Sequence, residues 1–262
     1  MIFDAILWSI IAPALVVSLL VAATHVPLGL EVLKRGIIFI DLATAQIAGL
    51  GAVSATLYLG EPHDLGGVIL VNLAAFSAAL TSGLFFSWAE QHLQKYQEAL
   101  IGCAFVLAAS MAILILANQP QGGEEMQDLL AGQILWTNWP EIGLVALVYL
   151  PLLIAWFIYR NKIGRLGFYM IFAVAVTASV QIVGVYMVFA LLIFPALGAS
   201  FLSSSLQLAA AYGLAITGIF LGLWASAITD YPTGPTLVWS LALVAVLGAL
   251  ILPRILEEKR GD

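Results

Sequence analysis

The sequence predicts an all-α polytopic membrane protein, and three observations indicate this fold class. Hydrophobic residues make up 63% of the 262 residues and charged residues only 9%, whereas an ordinary soluble domain carries about 25% charged residues. Mean hydropathy is +1.07. Apolar runs of the length that crosses a bilayer, about 17 to 25 residues, recur along the chain. The composition excludes a soluble globular enzyme and a disordered chain, and we expect one transmembrane domain over 1–262.

Five apolar runs without basic residues or paired acids are predicted to span the membrane: 5–23, 37–59, 65–86, 99–117 and 142–159. A longer apolar stretch follows at 166–227, and a last run lies at 237–252. Short cytoplasmic loops are enriched in Lys and Arg. The first, third and fifth loops carry such residues, which are Lys34, Arg35, Lys95, Arg160, Lys162 and Arg165. We therefore place these loops in the cytoplasm and the N-terminus outside.

The remaining chain is predicted to bring the number of transmembrane helices to about nine. The tail around Arg254 is basic and is expected inside, whereas loop 230–235 has no cation and suits the outside. The stretch between them must then cross three times, as 166–182, 185–201 and 206–227. Seventeen residues at about 1.5 Å each reach only about 25 Å, less than the hydrocarbon thickness of about 30 Å. We therefore expect short or broken helices near Gly184 and Pro195, with eight segments as the alternative.

Asp41, within the second predicted helix, is the first candidate for a residue that lines a translocation path. A carboxylate at the centre of a membrane helix costs about 2.5 to 3.5 kcal/mol and usually faces a bundle interior or a cavity. Thr44 lies three residues on, on the same helix face, and Gln46 is the third polar candidate. Each has an ordinary alternative. Asp41 could be hydrated or ion-paired near the cytoplasmic end, Thr44 could bond to its own helix, and Gln46 could bond to a partner helix.

The motifs of soluble catalysis are absent from the sequence. It contains no Walker A loop, nucleophile elbow, zinc-protease helix or Gly-rich dinucleotide turn, so any ATP hydrolysis would require a separate subunit. The 9 Lys and Arg residues form no basic patch, which argues against a nucleic-acid partner. The single cysteine excludes a disulfide framework. His25, His63 and His92 are too widely spaced to predict a zinc site.

Four short motifs follow one another along the chain. Pro-Leu-Gly at 27–29 precedes the basic turn at Lys34 and Arg35, and Leu-Leu-Ala-Gly-Gln-Ile-Leu-Trp follows at 129–136. Val183-Gly184 leads to Ala-Leu-Leu-Ile-Phe-Pro-Ala at 190–196, and Pro-Thr-Gly-Pro lies at 232–235. In this order and spacing, the set resembles the membrane permease subunits of ABC transporters for zinc and manganese.

The resemblance implies a homodimeric, multi-pass permease of the inner membrane, surrounded by lipid. It implies two kinds of protein partner, a cytoplasmic ATPase subunit and an external metal-binding protein. A divalent ion such as zinc or manganese would be the transported substrate, and no cofactor would be bound permanently. Asp41 is then the candidate metal ligand. The candidates for coupling to the ATPase are Arg160, Lys162 and Arg165.

Two departures from the family pattern keep other functions open. The family's second helix carries Gly-Asp-x-x-x-His, whose acid and imidazole share one face. An ungapped match from Pro27 puts Asp41 on the glycine, Leu42 on the acid and Gln46 on the histidine. The family's extended coupling segment is replaced by the short sequence 159–167. Either an ATPase is engaged by something shorter, such as this basic turn and the loop at 90–98, or the protein is not driven by ATP. One alternative is a membrane scaffold subunit without transport, and another is a permease for a metal chelate, which brings its own ligands.

Overall fold

The architecture is a set of long helices joined by short turns. The computed structural model describes residues 2–60, 64–117, 119, 122–159 and 162–261, and no strand occurs within them. Two 3-10 turns lie at Gln94–Tyr96 and Ile134–Trp136. The α-helices are α1 Ile2–Arg35, α2 Ile40–Leu59, α3 Leu65–His92, α4 Gln97–Leu116, α5 Gly122–Ala131, α6 Trp139–Tyr159, α7 Arg165–Gly198, α8 Ser204–Thr229 and α9 Thr233–Gly261.

Eight of these helices, all except α5, are long and apolar enough to cross a membrane. The predicted fold class is therefore confirmed for the described residues. Several helices extend beyond the apolar runs that predicted them, because polar residues at their ends continue the helical backbone. Thus α1 continues past Pro27 to Arg35, and α3 continues past Phe86 to His92.

Helix α7 contains a break at Gly184, where the backbone has φ 76° and ψ 163°. Glycine adopts this conformation without the Cβ clash that other residues suffer. The helix continues through Pro195 and ends at Gly198. The break divides α7 into a first arm, 165–183, and a second arm, 185–198. When α7 is counted once, the candidate spans number eight, and its two arms correspond to the predicted segments 166–182 and 185–201.

Backbone contacts divide the chain into two compact units, each built from segments that are distant in sequence. Unit 1 comprises Met1–Arg35, Ala131–Leu153 and Ile182–Asp262, and unit 2 comprises Gly36–Leu130 and Ile154–Gln181. Because these segments alternate along the chain, no single cut in the sequence separates the two units.

In unit 1, helix α8 runs antiparallel to both α1 and α9. The Tyr212 hydroxyl of α8 donates a hydrogen bond of 2.7 Å to the Ala23 carbonyl oxygen of α1. Toward the other end of α8, Trp224 lines an apolar groove together with Trp8 of α1.

Helix α9 also packs on α8, and Ser240 Oγ donates to the Gly218 carbonyl oxygen at 2.8 Å. At the turn between α8 and α9, the Ser226 and Thr233 hydroxyl oxygens lie 2.7 Å apart. Helices α1 and α9 therefore run in the same direction.

Unit 2 packs α2 against α3, α4 and the first arm of α7 through small residues. Ala48, Ala79 and Ala173 form a buried cluster contributed by α2, α3 and α7. A Cβ built on Gly51 of α2 would lie 2.8 Å from the Ala74 carbonyl oxygen of α3. Small side chains let backbones approach closely, which is how helices gain packing energy inside a membrane.

Candidate functional site

The first turn of α2 holds the candidate carboxylate. Helix α1 ends before Gly36, whose φ of 68° turns the chain, and α2 begins at Ile40. Asp41 is the acid of the first turn, where the partial positive charge of the helix N-terminus favours a negative side chain. Only 1% of Asp41 is exposed. Neither of its carboxylate oxygens has a hydrogen-bond partner among the described residues.

A buried charge without a partner is costly, and in proteins it is normally compensated by a counter-charge, a metal or a proton. The Asp41 carboxylate is buried and has no partner among the described residues, which does not fit an ordinary surface acid. Asp41 is therefore a group that a cation could neutralise.

The other two polar candidates on α2 are also buried, at 1% exposure for Thr44 and 2% for Gln46. Asp41, Ala45 and Ala48 share one helix face at spacings of four and three residues. Because Ala48 packs against α3 and α7, the face that carries Asp41 points into the interior of unit 2. Thr44 lies next to that face, whereas Gln46 is about 140° around the helix from Asp41 at about 100° per residue. The sequence spacing thus groups Thr44, but not Gln46, with the carboxylate.

The three predicted path residues do not form a complete metal site in this conformation. Among the described residues, no group of three or more His, Cys, Asp or Glu side chains could hold a metal ion. His25 is buried in α1, where its Nδ1 lies 3.0 Å from the Val21 carbonyl oxygen. His92 stacks on Trp88 at the end of α3, and His63 lies outside the described residues. The His25 and His92 imidazoles thus each contact a residue of their own helix.

Three polar contacts tie together the helix ends of unit 2 that the sequence places in the cytoplasm. The Phe39 N–H, just before α2, donates to Glu98 Oε1 of α4 at 3.3 Å. Gln97 Nε2 donates to the Tyr169 hydroxyl oxygen of α7 at 2.5 Å.

The third contact concerns a residue predicted to couple to an ATPase. The Arg165 guanidinium, at the start of α7, donates to Gln91 Oε1 near the end of α3 at 2.6 Å. Lys162 is exposed in the turn before α7, and Arg160 lies outside the described residues. The Arg165 contact joins the turn at 162–164 to the end of α3, close to the turn at Gln94–Tyr96. The sequence indicates the loop at 90–98 as a whole, but it does not single out Gln91, Gln97 or Tyr169. Their only signal is the presence of polar or amphipathic side chains at the ends of apolar runs.

A second group of close backbone contacts lies in unit 1, where three of the sequence motifs meet. Gly132, with φ 71°, follows α5, and it packs against Gly184, with φ 76°, at the break in α7. A Cβ on either glycine would overlap the backbone of the other segment. The Gln133 N–H donates to the Ile182 carbonyl oxygen at 3.3 Å. Gly234, at the start of α9, packs on the Ala131 carbonyl oxygen just as closely. We call the contact of 131–133, 182–184 and 233–234 the glycine junction.

The remaining motif, at 27–29, contacts α7 in the same manner. A Cβ on Gly29 of α1 would overlap the Leu192 carbonyl oxygen of α7 and would lie 3.4 Å from the Ala196 side chain. The Pro-Leu-Gly sequence at 27–29 therefore packs on the segment at 190–196. The four motifs are parts of two backbone contacts within unit 1, which their separation in the sequence did not reveal.

The chain is similar to known membrane proteins of transport systems. A family model described as the ABC 3 transport family matches residues 8–165 and 159–252. The manganese transport system membrane protein MntC of Halalkalibacterium halodurans is 23% identical over 276 residues, covering 96% of this chain and 91% of that protein. A protein of Thermotoga maritima named "Probable metal transport system membrane protein" is 26% identical over 258 residues, covering 90% of this chain and 87% of that protein.

A solved structure shares the fold. It is described as PsaBC from Streptococcus pneumoniae in complex with Fab, and it matches with a TM-score of 0.69 over 100% of both chains at 16% sequence identity.

Proposed function

The chain belongs to the ABC 3 transport family, and from this premise we propose that it imports a divalent metal ion as the membrane permease subunit of an ABC transporter. The observation that carries the proposal is Asp41, a carboxylate that is buried in a membrane helix without a partner among the described residues. An acid in this position marks a transport pathway more often than a packing role. Asp41 then contacts the passing ion, and Thr44 lies on the neighbouring part of the same face.

Manganese suits this site better than zinc. Carboxylate, hydroxyl and carbonyl oxygens favour hard cations such as Mn²⁺, whereas zinc favours imidazole and thiolate ligands. The Asp41 carboxylate and the Thr44 hydroxyl supply oxygen ligands only. The name of the Halalkalibacterium halodurans relative, a manganese transport system membrane protein, supports the same choice. The ion is substrate in this proposal, and it moves inward across the inner membrane.

A cytoplasmic ATPase supplies the energy, and an external binding protein delivers the metal. Only the five residues 160–164 separate α6 from α7, which leaves little room for a coupling helix in that loop. We propose that the ATPase contacts a compound surface made of this turn, with Lys162 and Arg165, and the adjacent turn at Gln94–Tyr96. The Arg165–Gln91 hydrogen bond supports this choice because it fixes the two segments together. A homodimer of the permease would present two such surfaces.

A permease for a metal chelate is the second candidate. One observation favours it: within the described residues, no cluster of three ligating side chains is present. A chelated ion needs fewer protein ligands because the chelator supplies them. A scaffold subunit without transport is the remaining alternative, to which the short fifth loop points.

The deciding experiment is co-purification with a candidate ATPase, followed by reconstitution and measurement of metal-stimulated ATP hydrolysis. We expect stimulation by Mn²⁺ that exceeds stimulation by Zn²⁺. Stimulation by a metal chelate but not by the free ion would favour the second candidate. A complex that assembles but responds to neither would favour a scaffold.

The docking surface has its own control in the same preparation. Arg165→Ala removes a charge and the contact with Gln91, so we expect less ATPase to be retained. Asp230→Asn alters the exposed loop between α8 and α9 and should retain all of it. Equal retention by both variants would contradict the docking assignment.

A further inference from the structure

The contact between the beginnings of α2 and α4 brings a second carboxylate to the same helix end as Asp41. The Phe39 N–H, at the N-cap of α2, donates to Glu98 Oε1 in the first turn of α4 at 3.3 Å. Asp41 follows Phe39 by two residues, so their Cα atoms are separated by at most about 7 Å. Both helices belong to unit 2. We call Asp41 and Glu98 the acidic pair.

The acidic pair contains oxygens that are buried without a hydrogen-bond partner. In the part of the chain that the structure describes, three buried side-chain oxygens have none, and they are Asp41 Oδ1, Asp41 Oδ2 and Glu98 Oε2. The other two unpartnered buried atoms are nitrogens, Trp156 Nε1 and Arg165 Nε. Buried negative charge must be offset by a counter-charge, a metal or a proton. The start of α2 is therefore a place that favours a cation.

Neither acid is paired with a basic side chain within the described residues. Lys95, the basic residue nearest to Glu98 in the sequence, is exposed, and its Nζ lies 5.6 Å from the centre of the Tyr96 ring. The amide of Gln97 donates to the Tyr169 hydroxyl oxygen of α7, which holds the first turn of α4 in place. The negative charge of the pair is thus left for a mobile cation to balance.

The two acids differ in exposure. Only 1% of Asp41 is exposed, whereas Glu98 is partly exposed. Glu98 Oε1 accepts from the Phe39 N–H, while Glu98 Oε2 has no partner among the described residues. The pair therefore extends from the interior of unit 2 toward the end that the sequence places in the cytoplasm.

Two carboxylates match the charge and the ligand preference of a hard divalent cation. Mn²⁺ favours carboxylate, carbonyl and water ligands, and the related ion Mg²⁺ is usually bound through one or two carboxylates while it keeps several waters. The retained waters allow two acids to bind one ion without touching each other. A site of this kind does not need the third protein ligand that the described residues lack.

We propose that Asp41 and Glu98 bind one hydrated divalent cation between them, and that Glu98 contacts the ion on its cytoplasmic side. The inference rests on the proposed function, because it adds a second ligand to the path of the same ion. Its structural basis is the group of three unpartnered carboxylate oxygens at the start of α2.

The experiment measures Mn²⁺ binding to the complex of permease and ATPase without nucleotide, with the electron paramagnetic resonance signal of free Mn²⁺ as the readout. Glu98→Gln keeps a carbonyl oxygen for the Phe39 N–H but removes the charge. We expect the dissociation constant for Mn²⁺ to rise about tenfold, with no change in the thermal midpoint. Asp230→Asn removes an exposed acid and should change neither value. If Glu98 only caps α2, Glu98→Gln will bind Mn²⁺ like the wild type, which overturns the proposal.

The number of bound ions tests whether the two acids share one. Binding to the ATPase alone is subtracted, and we expect one Mn²⁺ per permease, weakened by Asp41→Asn and by Glu98→Gln alike. Two Mn²⁺ per permease, with each variant losing a different one, would overturn the shared site, as would a wild-type complex that binds none.

Mn²⁺ uptake into proteoliposomes separates this inference from the proposed function. Uptake by the wild type with unchanged Mn²⁺ binding in Glu98→Gln overturns the acidic pair and leaves the proposed function standing. Failure of the wild type to take up Mn²⁺, or of the ATPase to associate, counts against the proposed function. Binding to the permease alone then decides the acidic pair, by the same comparison of Glu98→Gln with Asp230→Asn.

Discussion

At the scale of single residues, the chemistry depends on a small number of polar groups in an apolar chain. The sequence identifies Asp41 because a lone acid interrupts a run of apolar residues, and its position on α2 follows from helical periodicity. The absence of a partner for its carboxylate among the described residues could not be predicted, because that depends on which side chains α3, α4 and α7 bring near it.

Asp41→Asn should strongly reduce transport without unfolding the protein. We expect Mn²⁺ uptake into proteoliposomes to fall about tenfold or more, as when a charged hydrogen-bonding contact worth about 1.5 to 3 kcal/mol is lost. The thermal midpoint in detergent should be unchanged or higher, because the amide removes a buried charge that has no partner among the described residues.

Asp230→Asn serves as the matched control for that variant. Asp230 is exposed and adopts a left-handed backbone, which asparagine also tolerates. Normal uptake by Asp41→Asn in an inserted protein would remove Asp41 from the pathway.

The buried hydrogen bond between Gln97 and Tyr169 should contribute measurably to stability. Tyr169→Phe leaves the Gln97 amide without this partner, which we expect to lower the free energy of unfolding by about 1 to 3 kcal/mol. Adding Gln97→Leu removes the stranded polar group and should recover part of that loss. Thermal unfolding of the two single variants and the double variant checks this. A double variant less stable than Tyr169→Phe would show that the contact is not the cause.

At the scale of elements, the helices follow from composition, whereas their contacts do not. The lengths of the apolar runs alone predicted helices at their positions, because a backbone in lipid must satisfy its own hydrogen bonds. The break at Gly184 was predicted from the length of 166–227. Its packing against Gly132 could not be, since the two glycines are far apart in the sequence and carry no side chain that would indicate a partner.

Alanine at the glycine junction should be far more damaging than alanine at other glycines. Gly184→Ala or Gly132→Ala combines a strained backbone angle, which costs about 1 to 3 kcal/mol, with overlap against backbone atoms that cannot move aside. We expect little folded protein in detergent extracts for either variant. Gly213→Ala, in open space on α8, should fold normally, as judged by size-exclusion chromatography and thermal unfolding. Normal yields of Gly184→Ala would mean that the junction opens readily.

At the scale of the whole molecule, the direction of the helices bears on how often the chain crosses the membrane. Helices α1 and α9 both run antiparallel to α8, so the first and the last helix cross in the same direction. That requires an odd number of crossings. Since eight helices are long and apolar enough to span, we expect the two arms of α7, divided at Gly184, to cross separately.

We therefore expect the C-terminus on the side opposite the N-terminus. A reporter fused after Gly261 should show cytoplasmic activity, and a reporter at the N-terminus should show an external location. The basic residues of the tail agree with this, because Lys and Arg favour the cytoplasmic side. An external C-terminus would support eight crossings and would require α7 to cross once despite its length.

The glycine junction also affects how this protein can change over evolutionary time. Its three segments touch through main-chain atoms, so the contact places few demands on surrounding residues beyond the retention of glycine. Mutations can then accumulate in neighbouring side chains without opening the scaffold. The junction therefore restricts mutation at its own glycines and leaves the side chains around it free to vary.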